Sequence, residues 1–449
     1  MQTKYTVSEI VERPGLSGPV LKIIALCFLL LVCDSYDVAA LSFAAPALIK
    51  LWAISPQSMG LVFSVGLFGL LVGSILFGRM GDSIGRKRSI VVGALAFGVL
   101  TLATGFATSY NQLVVLRFLA ALGLGGAIPN AVALVTEFSP KALRITSVGI
   151  IFAGYSVGGI CAGFSAAVLI GGFGWSTMFF VGGGISLIAA LAIQVALPES
   201  LLYLTMTASR QSEAAQVAAI LRPDLLRAPD LLIVRETADA AEAGRLKDLF
   251  VGPLRIATPL LWLIYIASSM TVFFLSSWMP VAVESVGFSR STAAIATALL
   301  FTGSAVGGVV GGRFSDRFGI SAVIVLEIIA IPVVAALGAL GGIPELLLPM
   351  CFLAGCFAFG AQTCLHGIAG SFYPTSVRAN GVGWAIGIAK IGSIAGPFIG
   401  GLLLPSLSGQ GLFLAATTPL IVVVCLSLIL RTALSHERPA TEHFAAGHL

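Results

Sequence analysis

Charged side chains are scarce in this chain. Asp, Glu, Lys and Arg make up 10% of its 449 residues, whereas a soluble domain carries about 25%. In their place 57% of the residues are hydrophobic, and the mean hydropathy is +1.02. Such a composition excludes an ordinary water-soluble domain and indicates an integral membrane protein.

Long apolar runs follow one another along almost the whole chain. A helix of about 20 apolar residues crosses the hydrocarbon core of a bilayer. The sequence therefore predicts an all-α membrane protein with twelve spans, at 21–45, 58–79, 89–107, 112–137, 145–170, 175–197, 254–280, 291–312, 320–340, 346–370, 379–404 and 411–431. The polar residues 1–20 do not have the pattern of a cleavable signal peptide.

Catalytic and metal-binding patterns are absent from the sequence. It contains no Walker loop, no zinc-ligand spacing and no nucleophile–base arrangement, and all seven cysteines fall inside predicted spans. We therefore expect no enzyme activity, no cofactor, no metal and no disulfide framework. The net charge of +5 does not require a nucleic-acid partner, because the basic residues follow the membrane topology.

The distribution of Lys and Arg predicts the orientation of the chain. Lys50 and Arg290 lie in loops on one side, Arg117 and Lys390 lie inside spans, and all the other basic residues lie on the opposite side. By the positive-inside rule, both termini and the central loop are expected in the cytoplasm.

The chain contains an internal repeat. GRMGDSIG at 78–85 recurs as GRFSDRFG at 312–319, an offset of 234 positions from 78 to 312. Two parallel six-helix repeats are typical of secondary transporters that bind substrate near the midplane. The predicted segments are a tail at 1–20, a bundle at 21–197, a cytoplasmic loop at 198–253, a bundle at 254–431 and a tail at 432–449.

Several motifs resemble one family of carriers. GRMGDSIGRKR resembles the loop signature of the major facilitator superfamily, and DSYD in helix 1 resembles the Asp-Gly-x-Asp motif of its aromatic acid:proton symporters. RFLAALGLGGAIPNAVALVTEFSP in helix 4 and the segment FYPTSVRANGVGWAIGIAKIGSIAGPFIGG resemble that family too. The resemblance implies proton-coupled uptake of an aromatic carboxylate. Lys390 stands where that family usually carries arginine, and a lysine cannot bind a carboxylate bidentately.

Two aspartates in helix 1 are the leading candidates for proton coupling. Asp34 and Asp37 are three residues apart and share a helix face. They lie about 20 and 24 Å from the cytoplasmic end, and Arg117 lies roughly 8 Å from the opposite end, so the three reach similar depths in a core about 30 Å thick. Mutual repulsion of the carboxylates and attraction to arginine suit a proton carrier. A static ion pair between helices 1 and 4 is the alternative.

Lys390 is the other basic residue inside a span, and it could neutralise an anionic substrate together with Arg117. A structural pairing with Glu327 or with a helix-end carbonyl is the alternative. Gln362 and Trp384 are candidate hydrogen-bonding and stacking neighbours, and Tyr36 is a further substrate-binding candidate. Packing alone also explains Trp384. No role follows from the sequence for Glu327, and His366 is interpreted as a packed histidine.

The repeated loops are expected to act as gates. Each loop contains an aspartate that can sit against the positive N-terminus of a helix in the opposite half. The alternative for the basic residues of GRMGDSIGRKR is that they serve only to orient the chain in the membrane. The predicted gating residues are Gly78, Asp82, Gly85, Arg86, Arg88, Glu137, Arg144, Asp316, Gly319 and Arg378.

The combined prediction is a bacterial inner-membrane symporter, a monomer with a small aromatic carboxylate and protons as its partners, working by alternating access. An exporter of drugs or metabolites and a non-transporting sensor of aromatic acids remain open. Sugar transport, suggested by PES at 198–200, fits the buried charges less well.

Overall fold

The computed structural model describes residues 4–12, 15–206, 210–222, 232–234, 246–252, 254–340, 343–373, 377–407 and 409–436. Within these ranges twelve helical segments are long and apolar enough to cross a membrane. The prediction of an all-α protein with twelve spans is confirmed. Several helices are longer than the apolar runs alone suggested; α2, the first span, covers Gly18–Leu51.

Two units of tertiary structure divide the chain. Unit 1 comprises Met1–Ile54 and Val65–Asp239, and unit 2 comprises Ser55–Ser64 and Ala240–Leu449. The elements up to residue 234 are β1 (Lys4–Thr6), α1 (Val7–Val11), α2 (Gly18–Leu51), α3 (Pro56–Ile84), α4 (Arg86–Thr104), α5 (Tyr110–Phe138), α6 (Arg144–Phe173), α7 (Ser176–Ala196), α8 (Leu201–Leu204), α9 (Gln211–Leu221) and β2 (Leu232–Val234).

The remaining elements belong to unit 2. They are α10 (Leu254–Ser285), α11 (Arg290–Phe318), α12 (Ile320–Leu340), α13 (Pro344–Ala354), α14 (Gly360–Phe372), α15 (Arg378–Leu403) and α16 (Gly409–His436). A π-helical turn at Gly355–Phe359 separates α13 from α14. The tenth span is nevertheless one continuous helical segment, Glu345–Ile368, as expected from the sequence.

Local sequence signals set several helix boundaries. The hydroxyls of Ser109 and Ser289 cap the N-termini of α5 and α11. Each accepts a hydrogen bond from the backbone N–H group three residues later, at Gln112 and Thr292. Gly85 and Gly319 occupy the same place in the two repeated loops, with φ of +108° and +55°. Side chains disfavour positive φ, so glycine is required at both turns.

The internal sequence repeat corresponds to matching contacts between helices in the two units. A Cβ added to Gly158 of α6 would meet the backbone carbonyl of Val32 in α2. Its counterpart Gly392 of α15 would meet the carbonyl of Ile266 in α10, 234 positions after Val32. Small residues let membrane helices approach to backbone contact. Further matching contacts are Gly69 with Phe118 and Gly73 with Leu122 in unit 1, and Gly303 with Phe352 and Gly307 with Cys356 in unit 2.

Large apolar side chains are exposed on the spans, whereas two charged side chains deep in the spans are buried. Val168, Phe173 and Val195 are 74%, 74% and 86% exposed. By contrast, Arg117 is 3% exposed and Glu327 is fully buried. This arrangement is the one expected of a multi-pass membrane protein, because ionisable groups in a membrane face the protein interior.

The N-terminal tail docks onto the central loop within unit 1. Lys4–Thr6 pairs in parallel with Leu232–Val234, a contact that the sequence did not suggest. Thr6 and Glu9 form a capping box at the start of α1. The backbone N–H of Thr6 lowers the pKa of the Glu9 carboxyl, as expected for a carboxylate that accepts hydrogen bonds.

Candidate functional site

A buried ion pair joins α2 to α5 in unit 1. The Arg117 Nη1 donates to Asp37 Oδ1 at 2.8 Å, and Nη2 forms a second bond with Oδ2. Asp37 and Arg117 are only 4% and 3% exposed. Two parallel bonds between a guanidinium and a carboxylate are among the strongest polar contacts in proteins. The depth match between helices 1 and 4 thus corresponds to a direct contact.

Two further side chains hold this pair in place. Thr101 of α4 donates to Asp37 Oδ1 at 3.4 Å. The Arg117 guanidinium lies 5.7 Å from the ring centroid of Phe179 in α7, within the range of a cation–π contact. Helices α2, α4, α5 and α7 all contribute, so a change in the charge of Asp37 would act on four helices.

Asp34 has a different environment from Asp37. It is 7% exposed, and it lies near Tyr155 of α6. The close approach of α6, where a Cβ on Gly158 would fall 2.9 Å from Ser35 Cβ, places Tyr155 on this side of α2. The two aspartates share a helix face, but the bidentate partner Arg117 engages Asp37.

Tyr36 is part of the packing of unit 1. It is 3% exposed, and its ring lies against Gly182 of α7, where an added Cβ would be 3.0 Å from two ring carbons. Nothing larger than glycine would leave the ring in this position. Its assignment to substrate binding stays a prediction.

Two of the predicted substrate-binding residues make side-chain contacts within unit 2. Gln362 Nε2 donates to Ser269 Oγ at 3.1 Å. Trp384, 42% exposed, stacks on Trp262 with ring centroids 6.1 Å apart and planes at 27°. The assignment of Gln362 and Trp384 to substrate binding stays a prediction.

A lysine and a histidine lie near each other in the same unit. Lys390 is half-buried, and His366 is close enough for their electrostatic interaction to matter. The His366 ring is 5.6 Å from the ring of Tyr265. Glu327 does not pair with Lys390, because neither of its carboxylate oxygens has a hydrogen-bond partner among the described residues. The alternative of a Lys390–Glu327 pair is therefore wrong.

Glu137 is the centre of a polar network at the end of α5. Its carboxylate accepts hydrogen bonds from Arg86 Nη1 at 2.7 Å, from Ser200 Oγ at 2.7 and 2.8 Å, and from the Leu202 backbone N–H at 2.7 Å. Arg86 and Glu137, both predicted gating residues, are thus brought together inside unit 1. The bonds tie the start of α4 to the end of α5 and to α8.

Glu199 makes a second link in the same region. Its Oε1 accepts hydrogen bonds from the backbone N–H groups of Lys87 and Ser200, each at 2.9 Å. Lys87 lies in the first turn of α4, where the helix dipole favours an anion. A side chain on Gly85 would collide with the Glu199 carboxylate. Gly85 therefore serves both the turn and this contact.

The other predicted gating residues take up varied positions. Asp82 and Arg88 are exposed. Arg144 Nε donates to the Ser139 carbonyl at 3.3 Å. Around Gly78 an added Cβ would meet no atom within 4 Å. The side chains of Asp316 and Arg378 lie outside the described part of the structure, so the docking of each aspartate on the opposite half stays a prediction.

Comparison with known proteins places the chain in a family. Residues 27–258 and 261–448 match the model of the Major Facilitator Superfamily. The chain belongs to this superfamily. It is therefore a membrane transporter and not an enzyme, as the loop signature and the repeat predicted.

Curated relatives within the superfamily match nearly end to end. The 4-hydroxybenzoate transporter PcaK of Pseudomonas aeruginosa is 35% identical over 402 residues, covering 89% of this chain and 90% of that protein. The gallate transporter of Pseudomonas putida is 35% identical, with 85% of each chain covered. The benzoate transport protein of Acinetobacter baylyi is 29% identical over 90% of this chain and 88% of its own. These relatives confirm the resemblance to aromatic acid carriers.

A solved structure has a similar fold. It is a bacterial homologue of the human lysosomal transporter Spinster, crystallised in an inward-facing and unoccupied conformation. The TM-score is 0.75 over 95% of this chain and 100% of that one, at 17% sequence identity. At that identity the likeness concerns the fold alone.

Sequence reasoning missed several residues of these clusters. Thr101 and Phe179 beside the ion pair, and Ser269 beside Gln362, look like ordinary span residues, because the contact partner lies on another helix. Glu199 and Ser200 do carry a signal, because they belong to the PES sequence at 198–200. Besides its resemblance to a sugar-transporter feature, this sequence places a carboxylate directly after a span, where it faces the neighbouring loop.

Proposed function

We propose that this protein takes up an aromatic carboxylate, such as a hydroxybenzoate, together with protons across the bacterial inner membrane. The proposal is supported by the curated relatives, whose names refer to 4-hydroxybenzoate, gallate and benzoate. The observation that carries it is the buried pair of Asp37 and Arg117. It supplies an acid–base group and an anion-binding group in direct contact.

Competition for Arg117 would couple the proton to the anion. While Asp37 is ionised, its two oxygens occupy the guanidinium. Protonation of Asp37 removes the charge that holds the pair, so Arg117 becomes available to the carboxylate of the substrate. An arginine buried without a counter-ion is costly, and this cost is relieved when the anion binds. Binding of the proton at Asp37 and binding of the anion at Arg117 thus favour each other.

Unit 2 carries groups of its own that suit an aromatic anion. Lys390 supplies a second positive charge, and Gln362 can exchange hydrogen bonds with a ring hydroxyl. The face of Trp384 can stack against an aromatic ring. Lysine holds an anion as a point charge rather than through a planar fork, so the site at Lys390 tolerates several orientations of a carboxylate.

Movement of the substrate follows from alternating access. In our proposal both termini are cytoplasmic, and a loaded monomer exchanges an outward-facing for an inward-facing state without a cofactor. The Arg86–Glu137–Ser200 network keeps one end of unit 1 rigid while the two units move as bodies. The repeated loops, with the gating residues named above, make and break contacts at each exchange.

Uptake by proteoliposomes tests the proposal. Wild-type protein should accumulate 4-hydroxybenzoate when an inward proton gradient is applied, and Asp37→Asn and Asp34→Asn should abolish accumulation. Glu213→Gln is the matched control, because Glu213 is an exposed carboxylate on α9. Full gradient-driven accumulation by both aspartate variants would refute the coupling.

The same preparation separates the competing functions. Accumulation only in inverted vesicles would identify an exporter, and binding without flux would identify a sensor. The alcohol analogue of 4-hydroxybenzoate should fail to compete for uptake, because it lacks the charge that Arg117 and Lys390 would bind. Equal competition by the alcohol would contradict an anion site.

A further inference from the structure

Glu327 is the one buried carboxyl of α12, and the proposed coupling mechanism does not use it. The residue is fully buried, and neither carboxylate oxygen has a hydrogen-bond partner in the described part of the structure. An ionised carboxylate in an apolar interior without a partner costs at least several kcal/mol. In this conformation Glu327 is therefore held as the neutral acid, with its proton on a carboxyl oxygen.

The surroundings of Glu327 are apolar on its own helix and largely so on its neighbours. Val323, Ala330 and Val334 share its face of α12 and are fully buried. Helix α12 packs against α11, α13, the π-helical turn, α14 and α16. The described titratable or charged residues on those elements are Arg290, Arg313, Arg317, Glu345, Cys351, Cys356, Cys364, His366, Cys425 and Arg431. None of them forms a hydrogen bond or a salt bridge with Glu327.

The repeat indicates that the scaffold does not need this carboxyl. The position related to Glu327 in unit 1 is Gly93, where an added Cβ would lie 2.5 Å from the Gly123 carbonyl. There the two helices touch through their backbones. In unit 2 a glutamate takes the place of that glycine, although a smaller apolar residue would avoid the cost of a buried acid. Intramembrane ionisable residues of this kind are usually functional.

An irregular helical turn accompanies the glutamate. Helix α12 packs against the π-helical turn Gly355–Phe359. The related residues 121–125 of unit 1 lie within the regular helix α5. π-Helical turns are rare and occur often at functional sites. The buried acid and the π turn thus occur together, in only one of the two repeats.

We propose that Glu327 is a second proton-binding site of the carrier, one that releases its proton only when the contact between α12 and the π-helical turn opens to water. On opening, the O–H bond of the acid breaks, its electron pair stays on the carboxylate, and water takes the proton. On closing, hydronium returns a proton to the carboxylate and becomes water, so the acid is restored before it is buried. This inference rests on the proposed proton coupling and adds one proton to it.

Proton binding at Glu327 and the conformation of the carrier are thermodynamically linked, so each affects the other. A group that ionises in one conformation and is neutral in the other shifts the conformational equilibrium with pH. Glu327→Gln fixes the neutral state with nearly the same shape, so it should preserve exchange and remove one proton from the cycle. Glu345→Gln removes an exposed carboxylate at the start of α13 and serves as the matched control.

Two measurements on the full-length protein test the inference. Infrared spectroscopy of the purified carrier should show the carbonyl band of a neutral carboxylic acid that is lost in Glu327→Gln and kept in Glu345→Gln. In proteoliposomes, Glu327→Gln should exchange 4-hydroxybenzoate within about twofold of wild type. It should carry one proton fewer per substrate than both the wild type and Glu345→Gln.

The outcomes separate this site from the proposed function. Absence of the band in the wild type would show that Glu327 is ionised and would overturn the inference without involving transport. A wild-type protein that couples protons, with the same proton-to-substrate ratio in Glu327→Gln, would overturn only the second site. Transport by the wild type without any proton movement would refute both.

Discussion

Replacing Asp37 by asparagine should destabilise unit 1 strongly. The substitution keeps an acceptor oxygen but removes the charge, and it leaves the guanidinium of Arg117 buried at 3% exposure. Removal of one partner of a buried ion pair costs about 3–5 kcal/mol. With a factor of ten for each 1.4 kcal/mol, the folded-to-unfolded ratio should fall roughly a hundredfold to several thousandfold.

A double-mutant cycle distinguishes this charge effect from lost packing. Asp37→Asn with Arg117→Gln removes both charges, so the double variant should recover at least about 2 kcal/mol relative to the sum of the single changes. Arg117→Lys keeps the charge but loses the two parallel bonds, and it should lie between the wild type and Asp37→Asn.

Urea unfolding in detergent, followed by tryptophan fluorescence, gives the required free energies of unfolding. Glu213→Gln should change the free energy of unfolding by no more than about 0.5 kcal/mol, as expected of an exposed site. A loss below about 1 kcal/mol for Asp37→Asn would be typical of a solvated pair. That result would refute the buried ion pair as the link between α2 and α5.

Three further substitutions test the scaffold by the same unfolding assay. Gly392→Ala places a Cβ against the Ile266 carbonyl and should lower the free energy of unfolding by about 1–3 kcal/mol. Gly383→Ala is the control and should leave it unchanged, because an added Cβ there meets no atom within 4 Å. Equal effects would contradict the repeated helix contact. Glu137→Gln should cost about 1–3 kcal/mol by weakening the hydrogen bonds from its three donors, Arg86, Ser200 and the Leu202 backbone, and an unchanged midpoint would contradict the network. Trp278→Phe removes the 2.9 Å bond from its Nε1 to a backbone carbonyl in α15 and should lower stability by a similar amount, with no change as the contrary result.

The sequence predicts the fold almost completely, because the physics of the bilayer is visible in composition. Apolar runs of span length and the repeated loop led to twelve helices in two related sets. It also predicts the depth of Asp34, Asp37 and Arg117, since depth depends only on position along a helix. Depth alone does not choose between the two aspartates, and the choice of Asp37 depends on how α2 rotates against α5.

Contacts between distant segments are the part that the sequence does not reveal. The pairing of Lys4–Thr6 with Leu232–Val234 involves two segments of three residues, which are too short to show a strand pattern of their own. The π-helical turn has no composition that distinguishes it from the α-helix around it. Glu199 is recognisable as a carboxylate after a span, but its bond to the Lys87 backbone follows only from the turn at Gly85.

Comparison of the two repeats separates the scaffold from the functional residues. The glycine contacts recur at the same offset in both units, so they serve the helix packing that both share. The buried charges do not recur. The residues related to Asp34, Asp37, Arg117, Glu327 and Lys390 are Ser268, Thr271, Cys351, Gly93 and Ser156. The scaffold common to both repeats therefore does not require these charges, and burying them is costly. Substitution of a repeated glycine should act on stability in either unit, whereas substitution of a charge found in one repeat should also act on the movement of protons or anions.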